Sequence, residues 1–487
     1  MLAAAGGVLA NSEPELALSL ALASLASVAI AISPLYALLA ILAARATFAD
    51  SVFLDAATAV GGIVALLLAA PRLPLRPVTI PLTGLLLFAL PSVPLAPSLD
   101  EGILPDALYV PGLGLSYAPY PSLELLEWLR LAAVLAVGGL AAWAIRDRRS
   151  LQVLVTVIVA SSVVPAVIAL NQLVTGDTFV RLGTNFEAVR GPFTHPNYLA
   201  FYLVVVLTVG AVAILELRSR LVRIATAVPL ALATACLVLT YTRAAWIGFA
   251  AVLLLLAVLR ERRILAAAAL LLVIGSVAFP GTTADVEERF SDLNTPSQTT
   301  GSENDNSWPW RTGQWRRMVP RGLERPLTGE GFGSYSRVTI EEFGSRDLRY
   351  STVLDPTDPI GSPRGFSAHN DYVKMFVELG FPGLVLWVAV LGGMITAMLA
   401  ARRVPAVRGY AEGGLALALA LIVMTASDNI QGYTAVLIYS VAMIGGIAGA
   451  ARGISAGSRR SGEERGPAGD SRGMPRGAAR ATAPRTG

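Results

Sequence analysis

The feature that most constrains this chain is a succession of long apolar runs with arginines gathered between them. Hydrocarbon offers no water to backbone N–H and C=O groups, so a run buried there must satisfy them internally. Strand-like alternation is absent from the runs, and helices are therefore expected. Composition agrees: 54% of the 487 residues are hydrophobic and 15% charged, too few ionisable groups to cover the exterior of a soluble protein of this size. Disordered, collagenous and disulfide-stapled classes are excluded. The expected fold class is an all-α polytopic membrane protein.

A window of about 20 residues finds apolar segments near 16–48, 51–70, 78–96, 123–145, 151–173, 197–216, 222–240, 244–259, 264–280, 381–400, 410–427 and 432–451, a working count of about 12 transmembrane helices. The first block is long for one helix, and Ser33-Pro34 is a point where it can divide. The N-terminus lacks a basic region before Glu13 and Glu15, so no cleavable signal is expected. The single cysteine, Cys236, lies in an apolar run and says nothing of redox compartment.

Basic residues are almost all arginine, Lys374 being the one lysine. Arg72 and Arg76, the run Arg146 to Arg149, Arg218 to Arg223, Arg260 to Arg263, Arg402 to Arg408 and the tail after Arg452 all fall on one side if successive spans alternate. The positive-inside rule makes that side the cytoplasm. Segments 97–122, 174–196, 281–370 and 428–431 then lie outside. The expected organisation is N-terminal transmembrane helices over 1–150, a central region over 151–400 that includes the outer loop 281–370, C-terminal transmembrane helices over 401–454, and a disordered basic tail over 455–487.

The polar chemistry concentrates on the outer side. Loop 281–370 is far longer than a connection needs, and Trp310-Arg311-Thr-Gly-Gln-Trp315-Arg316-Arg317 reads as an amphipathic helix on the membrane surface or over a cavity. Gly329, Gly331 and Gly333 alternate before Tyr335, which suits either a tight turn or close approach of a ligand. The two histidines, His195 and His369, both open apolar segments on the outer side. Either is a candidate proton acceptor near neutral pH, or a plain hydrogen-bonding residue. Ahead of Pro382 the run from His369 to Gly380 is expected to form a short interfacial helix, with Glu378 a structural anchor on the face opposite His369.

Arg190-Gly-Pro-Phe-Thr194-His195-Pro196-Asn197 delivers the start of a span, with Thr194 or His195 as N-cap. Free amides, the helix dipole and Arg190 favour an anion there, ordinary capping beside a headgroup-binding arginine being the alternative. Arg243, in Thr242-Arg243 on a tight outer turn, opposes its helix dipole, and so either binds an anion or snorkels to lipid phosphate. Two arginines suit a diphosphate and an imidazole suits the proton of a hydroxyl, which together imply transfer from a lipid-linked phosphate ester. No metal-ligand spacing and no cofactor motif is present in the sequence.

At these residues the sequence resembles the O-antigen ligase and polymerase superfamily of WaaL-like and Wzy-like membrane glycosyltransferases. The motifs are Arg190-Gly-Pro-Phe-Thr-His195-Pro-Asn197, Thr242-Arg243, Arg311-x-x-x-Trp315, Pro326-x-x-Gly329-x-Gly331-x-Gly333-x-Tyr335 and His369-Asn370-x-Tyr372 leading to Glu378-x-Gly380-x-x-Gly383, spread over about 150–400. The resemblance implies a GT-C-like membrane fold with a large periplasmic loop, in the bacterial cytoplasmic membrane with its active site facing outward. It implies an undecaprenyl-diphosphate-linked glycan as donor, and as acceptor a sugar hydroxyl on a lipid or a growing glycan, in an inverting, metal-independent transfer.

Carried over by motif, His369 corresponds to the general base and Arg190 and Arg243 to the diphosphate-binding cations. His195, Asn197, Arg311, Gly329, Gly331, Gly333, Tyr335, Asn370 and Tyr372 fall in the motifs as candidate substrate-binding residues. Membrane lipids are expected partners and nucleic acid is not. The tyrosines Tyr109, Tyr117 and Tyr120 of loop 97–122 match no family motif. A transporter or flippase of lipid-linked saccharides is the alternative that about twelve spans also allow, although such proteins usually bind near the midplane, where this sequence has little charge.

Overall fold

The computed structural model describes residues 28–30, 32–48, 52–69, 75–93, 108–110, 114–116, 123–180, 187–217, 219–278, 280–291, 308–343 and 367–463. Within these, helices α1 (Pro34–Thr47), α2 (Val52–Ala69) and α3 (Arg76–Ala89) precede a hairpin of β1 (Leu108–Val110) and β2 (Gly114–Ser116). There follow α4 (Leu123–Ala144) and the end-to-end pair α5 (Arg148–Ser161) and α6 (Val163–Thr175). A second hairpin, β3 (Phe179–Val180) with β4 (Glu187–Ala188), leads into α7 (Pro196–Glu216), α8 (Arg220–Leu239), α9 (Arg243–Leu259) and α10 (Arg263–Ala278). The long loop contributes α11 (Pro280–Ser291), α12 (Trp308–Glu324) and α13 (Tyr335–Phe343), and α14 (Asp371–Ala401), α15 (Arg408–Thr425) and α16 (Thr434–Glu463) complete the bundle.

The protein is a helical membrane protein, its strands confined among the described residues to these two hairpins. Among the described residues seven stretches are long and apolar enough to cross a membrane: Glu124–Ala144, Arg148–Thr175, Pro196–Glu216, Arg220–Leu239, Asp371–Ala401, Pro405–Thr425 and Thr434–Ser458. Four more apolar helices are shorter. Their ends show why. α1 starts at Pro34, capped in position by Ser33, α3 lies between the left-handed Leu75 (φ 53°) and Leu90-Pro91, and α9 begins after a tight turn at Tyr241 (φ 50°).

α16 is the buried axis. It packs closely along α4, and the spacing Gly445, Gly449, Gly453 is the reason. A Cβ on Gly445 would stand 2.5 Å from the Gly138 carbonyl oxygen, and one on Gly449 would stand 2.5 Å from that of Ile145. Small residues four apart let two backbones meet this way in a membrane bundle. The same helix continues to Glu463, past residue 454 where the sequence reading starts a disordered tail. Ala, Ser and Arg are adequate helix formers, and Gly453 still lies against the Arg146 backbone; residues 464–487 of that expected tail lie outside the described residues. So do Tyr117 and Tyr120.

The arginine clusters meet at one end of the bundle. Glu216 joins Arg148 (3.1 Å) and Arg260 (2.6 Å), Glu412 joins Arg402 (3.0 Å), Arg408 (3.1 Å) and Arg260 (3.8 Å), and Arg452 donates to the Ala142 carbonyl (2.8 Å). The ends of α5, α7, α9, α14 and α15 are thereby tied together. α4, the end-to-end pair α5 and α6, α7, α8, α9 and α14 to α16 run between this end and the opposite one, where both histidines lie.

Candidate active site

His369 stands two residues before α14, next to its N-cap Asn370. Its φ is +48°, a strained value for a side chain with a Cβ. Three contacts fix that conformation from either side. Trp315 Nε1 of α12 donates to the Ala368 carbonyl (2.7 Å), the Asn370 side chain caps α14 by accepting from Tyr372 N (2.9 Å) and Val373 N (3.1 Å), and the Tyr372 hydroxyl donates to the Ile422 carbonyl of α15 (3.2 Å). Asn370 and Tyr372, expected as substrate contacts, are thus engaged in placing His369.

The partner of His369 is a residue that sequence reasoning passed over. Asp428, 1% exposed in the short turn between α15 and α16, lies 3.2 Å from His369 Nδ1. The same carboxylate accepts from Asn197 Nδ2 (2.6 Å), the Tyr433 hydroxyl (2.7 Å) and the Asn429 backbone N–H (2.8 Å). Burial alone would raise the Asp428 carboxyl, but the His369 hydrogen bond and charge, the Arg311 cation and the Tyr433 hydroxyl outweigh it and hold it below the usual carboxylate range. An ionised Asp428 fixes the imidazole ring and favours a proton on Nδ1. Burial and then the Asp428 charge push the Tyr433 hydroxyl well up, so it stays a donor.

Asp428 also connects the three sequence clusters. Asn197, in the first turn of α7, gives its Nδ2 to Asp428 and takes a hydrogen bond on Oδ1 from Thr242 Oγ1 (3.1 Å), the residue before Arg243. His369, Asp428, Asn197 and Thr242 form one hydrogen-bonded chain, buried except at His369, across α14, α16's leading turn, α7 and α9. Arg243 is the first residue of α9 and half-buried. His195 is the N-cap of α7, Nδ1 accepting from Asn197 N (3.0 Å), and its ring meets Phe179 edge-on with centroids 4.9 Å apart. Arg190 pairs with Asp177 (3.2 Å), and the Gln172 carboxamide fastens the Arg190-Gly191 backbone.

The loop helix α12 covers this region. Arg311 donates through Nη1 to the Ser427 carbonyl, one residue from Asp428, and Trp315 reaches Ala368 as described. Burial lowers the Arg311 guanidinium and Asp428 partly restores it. Helical spacing had made α12 amphipathic; its apolar and basic underside faces the protein, with Met318 packed against Tyr335, Val338, Ala368 and Val377.

α14 is broken at Gly380 (φ 64°, ψ −163°), where the sequence reading expects a break ahead of Pro382. The break frees backbone groups, and the glycine loop takes them. Glu330 N donates to the Val377 carbonyl (2.9 Å), Gly331 N to that of Glu378 (2.9 Å), and Phe381 N to that of Pro326 (2.8 Å). A side chain at Gly329 would run into the Glu378 backbone, and one at Gly380 into Pro326. Gly329 and Gly380 therefore serve this seam. Gly333 packs on Glu124, and the Gly331 position is open except for Ser92 at 3.6 Å. Tyr335 begins α13 by donating its N–H to the Glu378 carboxylate (3.0 Å), and its ring is buried.

Beneath the seam lies the one lysine. Lys374 Nζ bonds both oxygens of Glu127 on α4 (2.7 and 2.6 Å) and Gln431 Oε1 (2.6 Å), with Glu378 at 3.9 Å. Asp371 accepts from the Gln431 backbone N–H (2.9 Å). Lys374 and Asp371 thereby clamp the turn that carries Asp428 against the helix start that carries His369.

Among the residues expected from the sequence, His369, Asn197 and Arg311 converge on Asp428, Arg243 is one residue from that chain, and Arg190 and His195 flank its α7 end. Gly329, Tyr335, Asn370 and Tyr372 have structural partners. The signal that points to Asp428 was present: a carboxylate in a four-residue turn between two apolar spans is costly to place without a role. Among the described residues no group of three or more His, Cys, Asp or Glu is placed to hold a metal ion. In comparison with known proteins, the family model described as O-antigen ligase matches residues 228–388, from the middle of α8 through the loop into α14. No curated protein matches the chain.

Proposed function

We propose that this chain, placed in the O-antigen ligase/polymerase superfamily by its matched region, moves a glycan from undecaprenyl diphosphate to a sugar hydroxyl on the outer face of the bacterial cytoplasmic membrane. The observation that carries the reading is the chain from His369 through Asp428 and Asn197 to Thr242, which joins the family-matched segment to α7 and α16. With its Nδ1 proton shared with Asp428, the neutral ring presents its basic lone pair on Nε2. The acceptor oxygen forms the new bond to the anomeric carbon as the bond to the diphosphate oxygen breaks, and the hydroxyl proton passes to His369. Displacement in one step inverts the anomeric centre. Arg190 and Arg243 take the charge that develops on the leaving diphosphate.

The fold reading that accompanies this is a GT-C-like bundle of about twelve spans. It is supported by the helices found in all twelve apolar segments and by the gathering of the arginine clusters at the end opposite His369. Arginine as the charge-stabilising group accords with a transfer that needs no divalent cation.

The test uses full-length protein in liposomes with undecaprenyl-diphosphate oligosaccharide and candidate acceptors, with and without chelator. Wild type is expected to transfer in chelator, and His369→Ala, Arg190→Ala and Arg243→Ala to lose transfer by about 100-fold or more while remaining inserted. Full activity in His369→Ala removes histidine as base. Passage of intact lipid-linked glycan across the bilayer, with no bond cleaved, replaces the enzyme by a transporter.

A further inference from the structure

The covering helix α12 carries one buried polar side chain that neither the fold nor the proposed chemistry uses. Gln314 is 3% exposed, and both Nε2 and Oε1 are buried with no hydrogen-bond partner among the described residues. Native proteins rarely leave a buried carboxamide unsatisfied at both ends, and one that is so placed beside a candidate site calls for a partner from outside the chain.

Its position is fixed by its neighbours. Arg311, three residues earlier and so on the same side of the helix, reaches the Ser427 carbonyl beside Asp428. Trp315, the next residue, reaches the Ala368 carbonyl beside His369. Gln314 therefore sits within the part of α12 pinned over the His369–Asp428 pair. On the turn below, Asn429 gives its backbone N–H to Asp428 while its side-chain Oδ1 is buried without a partner.

The chemistry separates two halves of a glycosyl-transfer site. A diphosphate calls for cations, and the candidates for that are arginines. A sugar presents neutral hydroxyl or acetamido groups, each a donor and an acceptor, and a carboxamide matches them with one N–H donor pair and one carbonyl. A site built to hydrogen-bond a hydroxyl discriminates strongly because its own polar groups are unsatisfied without it.

We propose that Gln314, together with Asn429, binds hydroxyl or acetamido groups of the acceptor sugar and so presents its attacking oxygen to His369. This rests on the transfer reading above. The test compares wild type with Gln314→Met, full-length and in lipid nanodiscs, using lipid-linked oligosaccharide and acceptor glycolipid extracted from the producing cells. Gln314→Met is expected to raise the acceptor KM at least about tenfold, leave the donor KM unchanged, and keep or raise Tm, because an unsatisfied amide has been replaced by an apolar chain of similar size. Asn429→Ala is expected to raise the acceptor KM in the same direction. Transfer with unchanged acceptor KM in Gln314→Met overturns the subsite alone. A fall in Tm also overturns it, since the amide then has partners within the protein. No transfer by wild type removes the enzyme reading and the subsite with it.

Discussion

The two ends of the bundle both hold ionic networks, and they are built on opposite principles. At the arginine-rich end two carboxylates, Glu216 and Glu412, are shared among Arg148, Arg260, Arg402 and Arg408, and several of those guanidiniums are partly exposed. Any one contact has a substitute or water close by. At the opposite end Asp428, Lys374, Glu378 and Asp371 are buried, and each hydrogen bond goes to a particular atom on another helix. Water cannot replace a lost partner there. The first network staples helices together, whereas the second holds a strained histidine in one place.

That contrast is open to measurement. The largest effect is expected from Lys374→Met, which leaves Glu127, Glu378 and Asp371 in a buried pocket without their cation. A loss of about 3–5 kcal/mol in unfolding free energy, typical of a broken buried pair, is the expected result. Glu127→Gln in the same chain should return part of it, and thermal unfolding of single and double variants reads the coupling.

Next comes Asp428→Asn, which preserves shape while removing the charge that fixes the His369 ring. Transfer is expected to drop about 100-fold or more, with the donor KM little changed. The same variant reports on acid stability. Because Asp428 is held below its ordinary value in the folded protein, its contribution is complete above about pH 4, near the unfolded carboxyl value, and is lost as pH falls toward the folded one. Replacing it with Asn should flatten the acid limb of a stability-against-pH curve, and an unaltered limb would show that Asp428 does not contribute there.

The smallest effect is expected at the other end. Glu216→Gln should cost under about 1 kcal/mol and leave transfer within about twofold of wild type. A large loss of activity there would erase the distinction between the two networks.

Much of the scaffold was legible from local pattern. The apolar segments, the amphipathic α12, His195 as a possible N-cap, the break before Pro382 and the placement of both histidines at one end of the bundle all follow from rules that act within a few residues. The site was legible only by its pieces. His369, Asn197 and Arg243 were picked out, but Asp428, which joins them, is 231 positions from Asn197 and 59 from His369. No spacing rule connects residues so far apart. The glycines show the same limit: alternation at Gly329, Gly331 and Gly333 suits a tight turn or close approach of a ligand, and what approaches Gly329 is the backbone around Glu378.

Hydrophobicity and the placement of arginine, properties of each stretch taken alone, were enough to decide that this chain forms helices in a membrane and which helix ends share a side. The tertiary structure decided which carboxylate orients His369, which one faces Lys374 and which glutamine is left unsatisfied. Those outcomes depend on which buried polar atoms come within about 3 Å of one another, and only the packing of α4, α7, α12, α14 and α16 sets that.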